Sequence, residues 1–377
     1  MDDGVHVFAV VLPGLETIAA RELAALGART LRPAHGGVAF RVSPTGLMRI
    51  SLRARVPTRL LVRLAEFRAC SFPELFNKAR RLRWEHYVRR DGEVHVRAES
   101  HRSRLLHSGR LQAVLRDAVH ARLRRADATD GRPRELTVYL RMYDDRCQLS
   151  LDASGERLDR RGYRRYPGRA PLRETLAAAL LQWLDWRAEQ RLWVPMCGSG
   201  TLAIEGALMA AQCAPGVNHR FPFVGWPGFT LRRWRQAMAR AERMRRKPSV
   251  RIHASDLDPR AVAWTRANAA CAGVEEMLSI EKRDFFALDR EGEQGVLLLN
   301  PPYGRRIGGD ARALYARIGR HLAHAFAGWR CLVLAPDQAC VQALGMPALD
   351  ALDVRHGGRT IHAVQLIPGA PVAAAGA

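Results

Sequence analysis

The chain has 377 residues, 47% hydrophobic and 26% charged, which excludes a wholly disordered protein and leaves room for two domains with separate cores. Its 60 basic residues against 37 acidic ones leave a formal charge of +23, and a folded protein this basic points to a polyanionic partner, nucleic acid first. Seven cysteines without a CxxC pair or zinc spacing, an acidic start (MDDGVHVFAV) and no uncharged apolar run of ~18 residues predict a cytoplasmic protein with no metal, no signal peptide and no membrane span.

In chain order, VHVFAVV reads as a strand, and residues 15–26 as a helix with Leu15, Ile18, Ala19, Leu23 and Leu26 on one face. Gly27 stops that helix, and HGG turns the chain into the strand VAFRV. EVHVRAES reads as a strand and Gln112–Arg124 as a basic amphipathic helix; ELTVYLRMY and CQLSLD pair around Asp144 and Asp145. This α+β half ends near Asp152. Residues 153–170, rich in Gly and Arg, read as a linker over a surface. From Pro171 a helix with proline at its start leads into RLWVP, the turn MCGSGT and the helix LAIEGALMAAQCA. VRIHASDLD with the helix Arg260–Ala272 repeats the strand–helix unit, followed by LSIEKRDF. VLLLN suits the centre of a parallel sheet. Helix 311–326, strand CLVLAP and a hairpin across His356, Gly357 and Gly358 complete an α/β domain, with a low-complexity tail and no internal repeat.

Gly198 and Gly200 permit a tight strand-to-helix turn whose exposed N–H groups can face a cofactor, although a lone GxG serves a plain turn equally well. The dinucleotide fingerprint fits poorly, because position 203 is alanine and the next strand-end acid, Asp256, comes 56 residues after Gly200. Asp256 ends one strand and Asp284 follows another, where carboxylates can accept from ribose hydroxyls and from an adenine amine; capping the next turn is the plain alternative. Asp258 before Pro259 reads as such a cap.

VLLLNPPYG stops a buried strand at two prolines, which remove donors and set φ. Asn300 Oδ1 and the Pro301 carbonyl can each accept one N–H of an exocyclic amine, aiming the nitrogen lone pair at an electrophile, while Tyr303 offers a face for the base.

These stretches carry a family resemblance. NPPY resembles the class I S-adenosylmethionine-dependent methyltransferases that act on amino groups. MCGSGTLAIEGALMA, RGYRRYPGRAPLRETLAAALL and NPPYGRR are similar to the THUMP-containing bacterial ribosomal RNA guanine-N2 methyltransferases. The resemblance implies a ferredoxin-like region over 1–50, a THUMP RNA-binding domain over 51–153 and a linker over 154–170. It implies a class I (Rossmann-like) α/β domain with a mainly parallel seven-stranded sheet over 171–368, then a disordered tail over 369–377. It implies S-adenosyl-L-methionine as cofactor, bound by Pro195, Cys197, Gly198, Ser199, Gly200, Thr201, Asp256, Asp284 and Asn300. Gly198 to Gly200 would hold its methionine end, Asp256 the ribose and Asp284 the adenine; Asn300, Pro301, Pro302 and Tyr303 form the catalytic set around the guanine. Where the family usually has Asp before Pro-Met-Cys, this chain has Val194.

Methyl transfer from a sulfonium needs alignment more than a strong base, and no His or Cys accompanies the NPPY stretch. Cys197 reads as a packing residue. Segment 229–251 carries nine basic residues and one acid, so Arg232, Arg233, Arg243, Arg245 and Arg246 are expected to hold RNA beside the cleft, with Trp226 and Trp234 in the core. The expected partner is ribosomal RNA, most directly 23S. Transfer RNA, DNA adenine-N6 methylation and a non-catalytic assembly factor are the alternatives.

Overall fold

The computed structural model describes residues 4–125, 133–168, 171–247, 252–289, 294–302 and 310–369. The first half of the chain runs β1 (Val5–Val10), α1 (Glu16–Ala25), β2 (Arg29–Ala34), β3 (Gly37–Val42), α2 (Pro44–Arg53), β4 (Arg59–Arg68), α3 (Phe72–Arg80), β5 (Glu93–His101), α4 (Ser108–Leu123), β6 (Glu135–Tyr143) and β7 (Arg146–Asp152). The second runs α5 (Glu174–Trp183), β8 (Leu192–Pro195), α6 (Thr201–Ala210), α7 (Leu231–Arg243), β9 (Ile252–Asp256), α8 (Pro259–Ala272), β10 (Leu278–Lys282) and β11 (Val296–Leu299). It closes with α9 (Ala311–Ala325), β12 (Arg330–Ala335), α10 (Gln338–Ala343), β13 (Asp350–His356) and β14 (Arg359–Leu366). Packing divides these elements into two compact units.

The first unit comprises Met1–Val11, Ala20–Leu158 and Gly216–Arg243. Its seven strands form one sheet in the order β2-β3-β1-β4-β7-β6-β5. Alternation decides which face is buried: in β6, Leu136, Val138, Leu140 and Met142 turn inward. Asp144 and Asp145, both at positive φ, make the tight β6–β7 turn. The elements β2, α2, β4 and α3 go beyond the sequence expectation, although α2 carries ordinary start signals: Ser43 Oγ accepts from Gly46 N at 3.1 Å, and Pro44 opens the helix. Helix α4 begins at Ser108 rather than Gln112, because its buried stripe of Leu111, Leu115, Ala118 and Val119 starts earlier.

Helix α7 belongs to the first unit, where it turns Trp234 and Ala241 inward and packs on α2. Trp234 packs on Phe221 and Phe223, with ring centroids 5.3 and 5.5 Å away, Phe223 packs in turn on Phe229 at 5.0 Å, and Trp226 is buried, as expected of core residues. Arg232, Arg233, Arg235, Arg240 and Arg243 remain exposed.

The second unit comprises Leu12–Ala19, Asp159–Pro215 and Met244–Ala377. Its sheet has the order β10-β9-β8-β11-β12-β14-β13. The first five strands are parallel, and β14 lies antiparallel to both β12 and β13. This is the α/β, mainly parallel seven-stranded sheet expected. All four residues of β11 are buried, as its unbroken apolar run requires. One face packs Tyr315, Phe326 and Trp329 against Trp193 and Leu297. The strand order reverses between β8 and β11, the place where open α/β sheets bind ligands beyond their carboxyl ends.

In the connecting region the helix begins at Glu174, not at Pro171; the Leu172 carbonyl accepts from Arg164 Nη2 at 2.6 Å, outside any helix. Residues 159–168 lie largely at the surface, with Arg160, Gly162, Arg165, Tyr166 and Pro167 exposed, while the side chains of Tyr163 and Arg161 are buried against Glu205 of α6. Among the described residues, no helix is long and apolar enough to cross a membrane.

Candidate active site

The carboxyl ends of β8, β9, β10 and β11 open onto a cavity of about 510 Å³ lined by residues of the second unit. After Pro195 the chain turns sharply into α6, with Met196, Gly198 and Gly200 all at positive φ. The two glycines serve different ends. A Cβ on Gly200 would lie 2.6 Å from Thr265 Cγ2, so packing on α8 demands glycine there. A Cβ on Gly198 would meet nothing within 4 Å, because that backbone faces open space. The turn is held from α8 by Thr265 Oγ1, which donates to the Gly198 carbonyl at 3.0 Å.

Asp256, at the end of β9, faces this turn. Its Oδ2 accepts from Gly198 N at 2.9 Å and its Oδ1 from Asp258 N at 3.0 Å, which fixes the carboxylate at the cavity wall. Asp284 follows β10 and also lines the cavity, its Oδ1 accepting from Phe286 N at 3.0 Å. Asp258 is the expected cap: it accepts from Arg260 N at 2.9 Å and pairs with that guanidinium. Cys197 lines the cavity too, but burial pushes its thiol up to about 12, so it packs and does not attack.

Beyond β11, Asn300 and Pro302 border the same cavity. Asn300 Oδ1 is shut off from bulk solvent and, among the described residues, finds no hydrogen-bond donor. A buried acceptor left in this state costs free energy unless a donor comes to it, and the residue that carries it lines the cavity. Pro301 is buried, and Tyr303 lies outside the described residues.

The structure thus brings Cys197, Gly198, Ser199, Thr201, Asp256, Asp284, Asn300 and Pro302 to one cavity, while Pro195 and Gly200 support it without lining it. Val194 is buried in β8 and lines no part of it. Arg246 is engaged elsewhere, with Nε donating to the Ala210 carbonyl at the end of α6 at 3.3 Å. Several lining residues go beyond the sequence expectation: Pro167, Gly168 and Leu172 from the connecting segment, Trp264 from α8, and Phe286 with the Arg317 guanidinium 3.6 Å over its ring. The signal for α8 is present in the sequence, since Ala261, Trp264, Thr265 and Asn268 share one helical face.

A methyltransferase pattern lies over this cavity and its sheet. Residues 161–365 match the RMKL-like methyltransferase domain, residues 69–152 the THUMP domain and residues 6–61 the RlmL ferredoxin-like domain. The chain belongs to the RMKL-like methyltransferase family. This methyltransferase is 32% identical over 359 residues to a chain of Synechocystis sp. named "Putative RNA methyltransferase", covering 93% of one and 94% of the other. It is 36% identical over 369 residues to the "Ribosomal RNA large subunit methyltransferase K/L" of Syntrophotalea carbinolica, covering 92% of this chain. It spans about half the length of the K/L relatives it matches. A crystal structure of "a putative methyltransferase complexed with SAH" superposes with a TM-score of 0.89 at 26% identity, covering 99% of this methyltransferase and 100% of that chain.

Proposed function

We propose that this methyltransferase uses S-adenosyl-L-methionine to methylate the exocyclic N2 amine of a guanine in RNA, with large-subunit ribosomal RNA as substrate. The observation that carries the reading is Asn300, whose buried Oδ1 has no donor among the described residues, at a cavity that also presents two strand-end carboxylates and a glycine turn. The names of the K/L relatives and the THUMP match favour ribosomal RNA over other nucleic acids.

The chemistry of the residues fits such a cofactor. Asp256 and Asp284 can accept from hydroxyls and an amine, and the bare backbone at Gly198 leaves space for a close approach. When bound, the sulfonium cofactor supplies an activated methyl group. The protein's own residues orient the target: on this reading Asn300 Oδ1 accepts one N–H of the guanine amine and the Pro301 carbonyl accepts the other. No strong base is required, because the amine sheds its proton to water as it becomes cationic. RNA is held by phosphate contacts from Arg232, Arg233 and Arg243 on α7, with Arg245 and Arg246 next to that helix in the chain.

Methyl transfer from labelled S-adenosylmethionine to separate pools of unmodified 23S, 16S and transfer RNA, and to DNA, followed by nucleoside mass spectrometry, tests this. N2-methylguanosine in 23S RNA alone is expected. The same product confined to transfer RNA, or N6-methyladenine in DNA, would replace the proposed substrate.

A further inference from the structure

The segment before α5 does more than connect. Residues 163–168 run as a strap to the cavity, and one buried side chain of α8 fastens them. Asn268 Oδ1 accepts from the backbone N–H groups of Arg165 and Tyr166 at 2.9 and 3.0 Å. Its Nδ2 donates to the Tyr166 carbonyl at 2.9 Å and to the Ser199 carbonyl at 3.0 Å. The amide is 1% exposed and uses both ends: it holds the strap with three bonds and the glycine turn with the fourth.

Both things it holds are cavity wall. Ser199 lines the cavity, and so do Pro167 and Gly168, the residues directly after the clamped Tyr166. Gly168 stands at φ +68 with its Cα face turned to Trp264 and Ser199; a Cβ there would contact both at 3.7–3.8 Å. A second fastening lies upstream, where Tyr163 Oη meets Glu205 Oε1 at 3.1 Å and Arg164 Nη2 donates to Thr201 Oγ1 at 3.2 Å. That part is anchored to α5 and α6, so the stretch from Arg165 to Gly168 depends on Asn268 for its register against the turn.

We propose that Asn268 is a positioning residue of the cofactor cavity, which locks the strap 165–168 to the Gly198–Gly200 turn and so sets the wall that the cofactor meets. The proposal rests on the methyltransferase reading of this cavity. Asn268 touches no reacting atom, so its removal should weaken cofactor binding while sparing the chemical step at saturating cofactor.

The test uses the full chain with Asn268→Ala, and with the isosteric Asn268→Asp, which keeps the acceptor for the strap amides but loses both Nδ2 donors, in case the first fails to fold. S-adenosylhomocysteine affinity is measured by calorimetry, methyl transfer by kcat and KM for S-adenosylmethionine, and strap mobility by hydrogen exchange of the peptide spanning 163–168. The expected result is an affinity loss of about 10-fold or more and a matching rise in KM, with kcat within about 3-fold of the parent. Exchange should quicken in the strap peptide of Asn268→Ala and not in β11 or β12. Unchanged affinity in a folded variant, or a fall in kcat with KM unchanged, overturns the assignment. A parent protein that binds no S-adenosylhomocysteine overturns the underlying reading instead, and is recognised before any variant is made.

Discussion

The backbone N–H of Gly198 donates to Asp256 Oδ2 at 2.9 Å, joining two residues 58 positions apart. That bond ties the glycine turn after β8 to the end of β9, and it uses only part of the carboxylate's accepting capacity. The remaining lone pairs face the cavity. In Asp256→Asn, one oxygen becomes a donor that opposes either the Gly198 or the Asp258 amide, and a charged acceptor disappears. Cofactor affinity should fall by roughly 10- to 100-fold; calorimetric titration with S-adenosylhomocysteine measures it, and an unchanged Kd would remove Asp256 from the binding set.

The two glycines of the turn should fail differently. Gly200→Ala drives a Cβ to 2.6 Å from Thr265 and should destabilise the fold by ~1–3 kcal/mol. Gly198→Ala meets no atom and costs only the strain of its positive φ, ~1 kcal/mol, yet it narrows the space for a ligand. Melting temperature should therefore fall further for Gly200→Ala, and affinity per degree of melting further for Gly198→Ala. The reverse order would mean that the open face of Gly198 is not where the cofactor sits.

Much of this site is legible without the fold. MCGSGT, Asp256, Asp284 and Asn300 each end a strand that the sequence marks by an apolar run and a breaker, so their convergence follows from a parallel sheet alone. The strap cannot be read that way. Residues 159–168 have no apolar period, and their anchoring depends on the ion pair of Arg161 with Glu205 and on the four bonds of Asn268, with partners far away in the chain. The same limit applies to α7, whose arginines spell a basic surface but whose buried Trp234 packs on Phe221 and Phe223. Strand β2 escapes because Arg and Pro interrupt its alternation where it runs exposed, and β4 because Arg63 and Glu66 break up its apolar run.

Glu174 makes stability depend on pH. Desolvation at the start of α5 is the main cause that pushes its carboxyl from the ordinary 4.5 up to about 7, against the opposing pull of Arg164. Between those values the folded chain keeps a proton that the unfolded chain has released. Its contribution to stability therefore falls as pH rises from about 4.5 to 7, by up to roughly 3 kcal/mol, and levels off above. Glu174→Gln removes that fall, so its denaturant midpoint should decline less than the parent's between pH 5 and 7. Parallel curves would contradict it.

The exposed arginines of α7 should act through phosphates. Replacing Arg232, Arg233 and Arg243 together by Gln should weaken RNA binding and reduce the slope of log K against log salt by roughly 0.7–0.9 for each phosphate no longer neutralised. Because the three side chains lie outside the buried face of α7, melting should move little. An unchanged salt slope would make this surface a solvated face and nothing more.

Asn300 Oδ1, buried and without a donor among the described residues, is completed on this reading by the amine that is methylated. Asn300→Ala measures this most directly, through single-turnover methyl transfer to RNA alongside the Kd for S-adenosylhomocysteine. Transfer should fall ~10²-fold or more with cofactor affinity nearly unchanged. Equal loss of both, or transfer that survives the substitution, would contradict it.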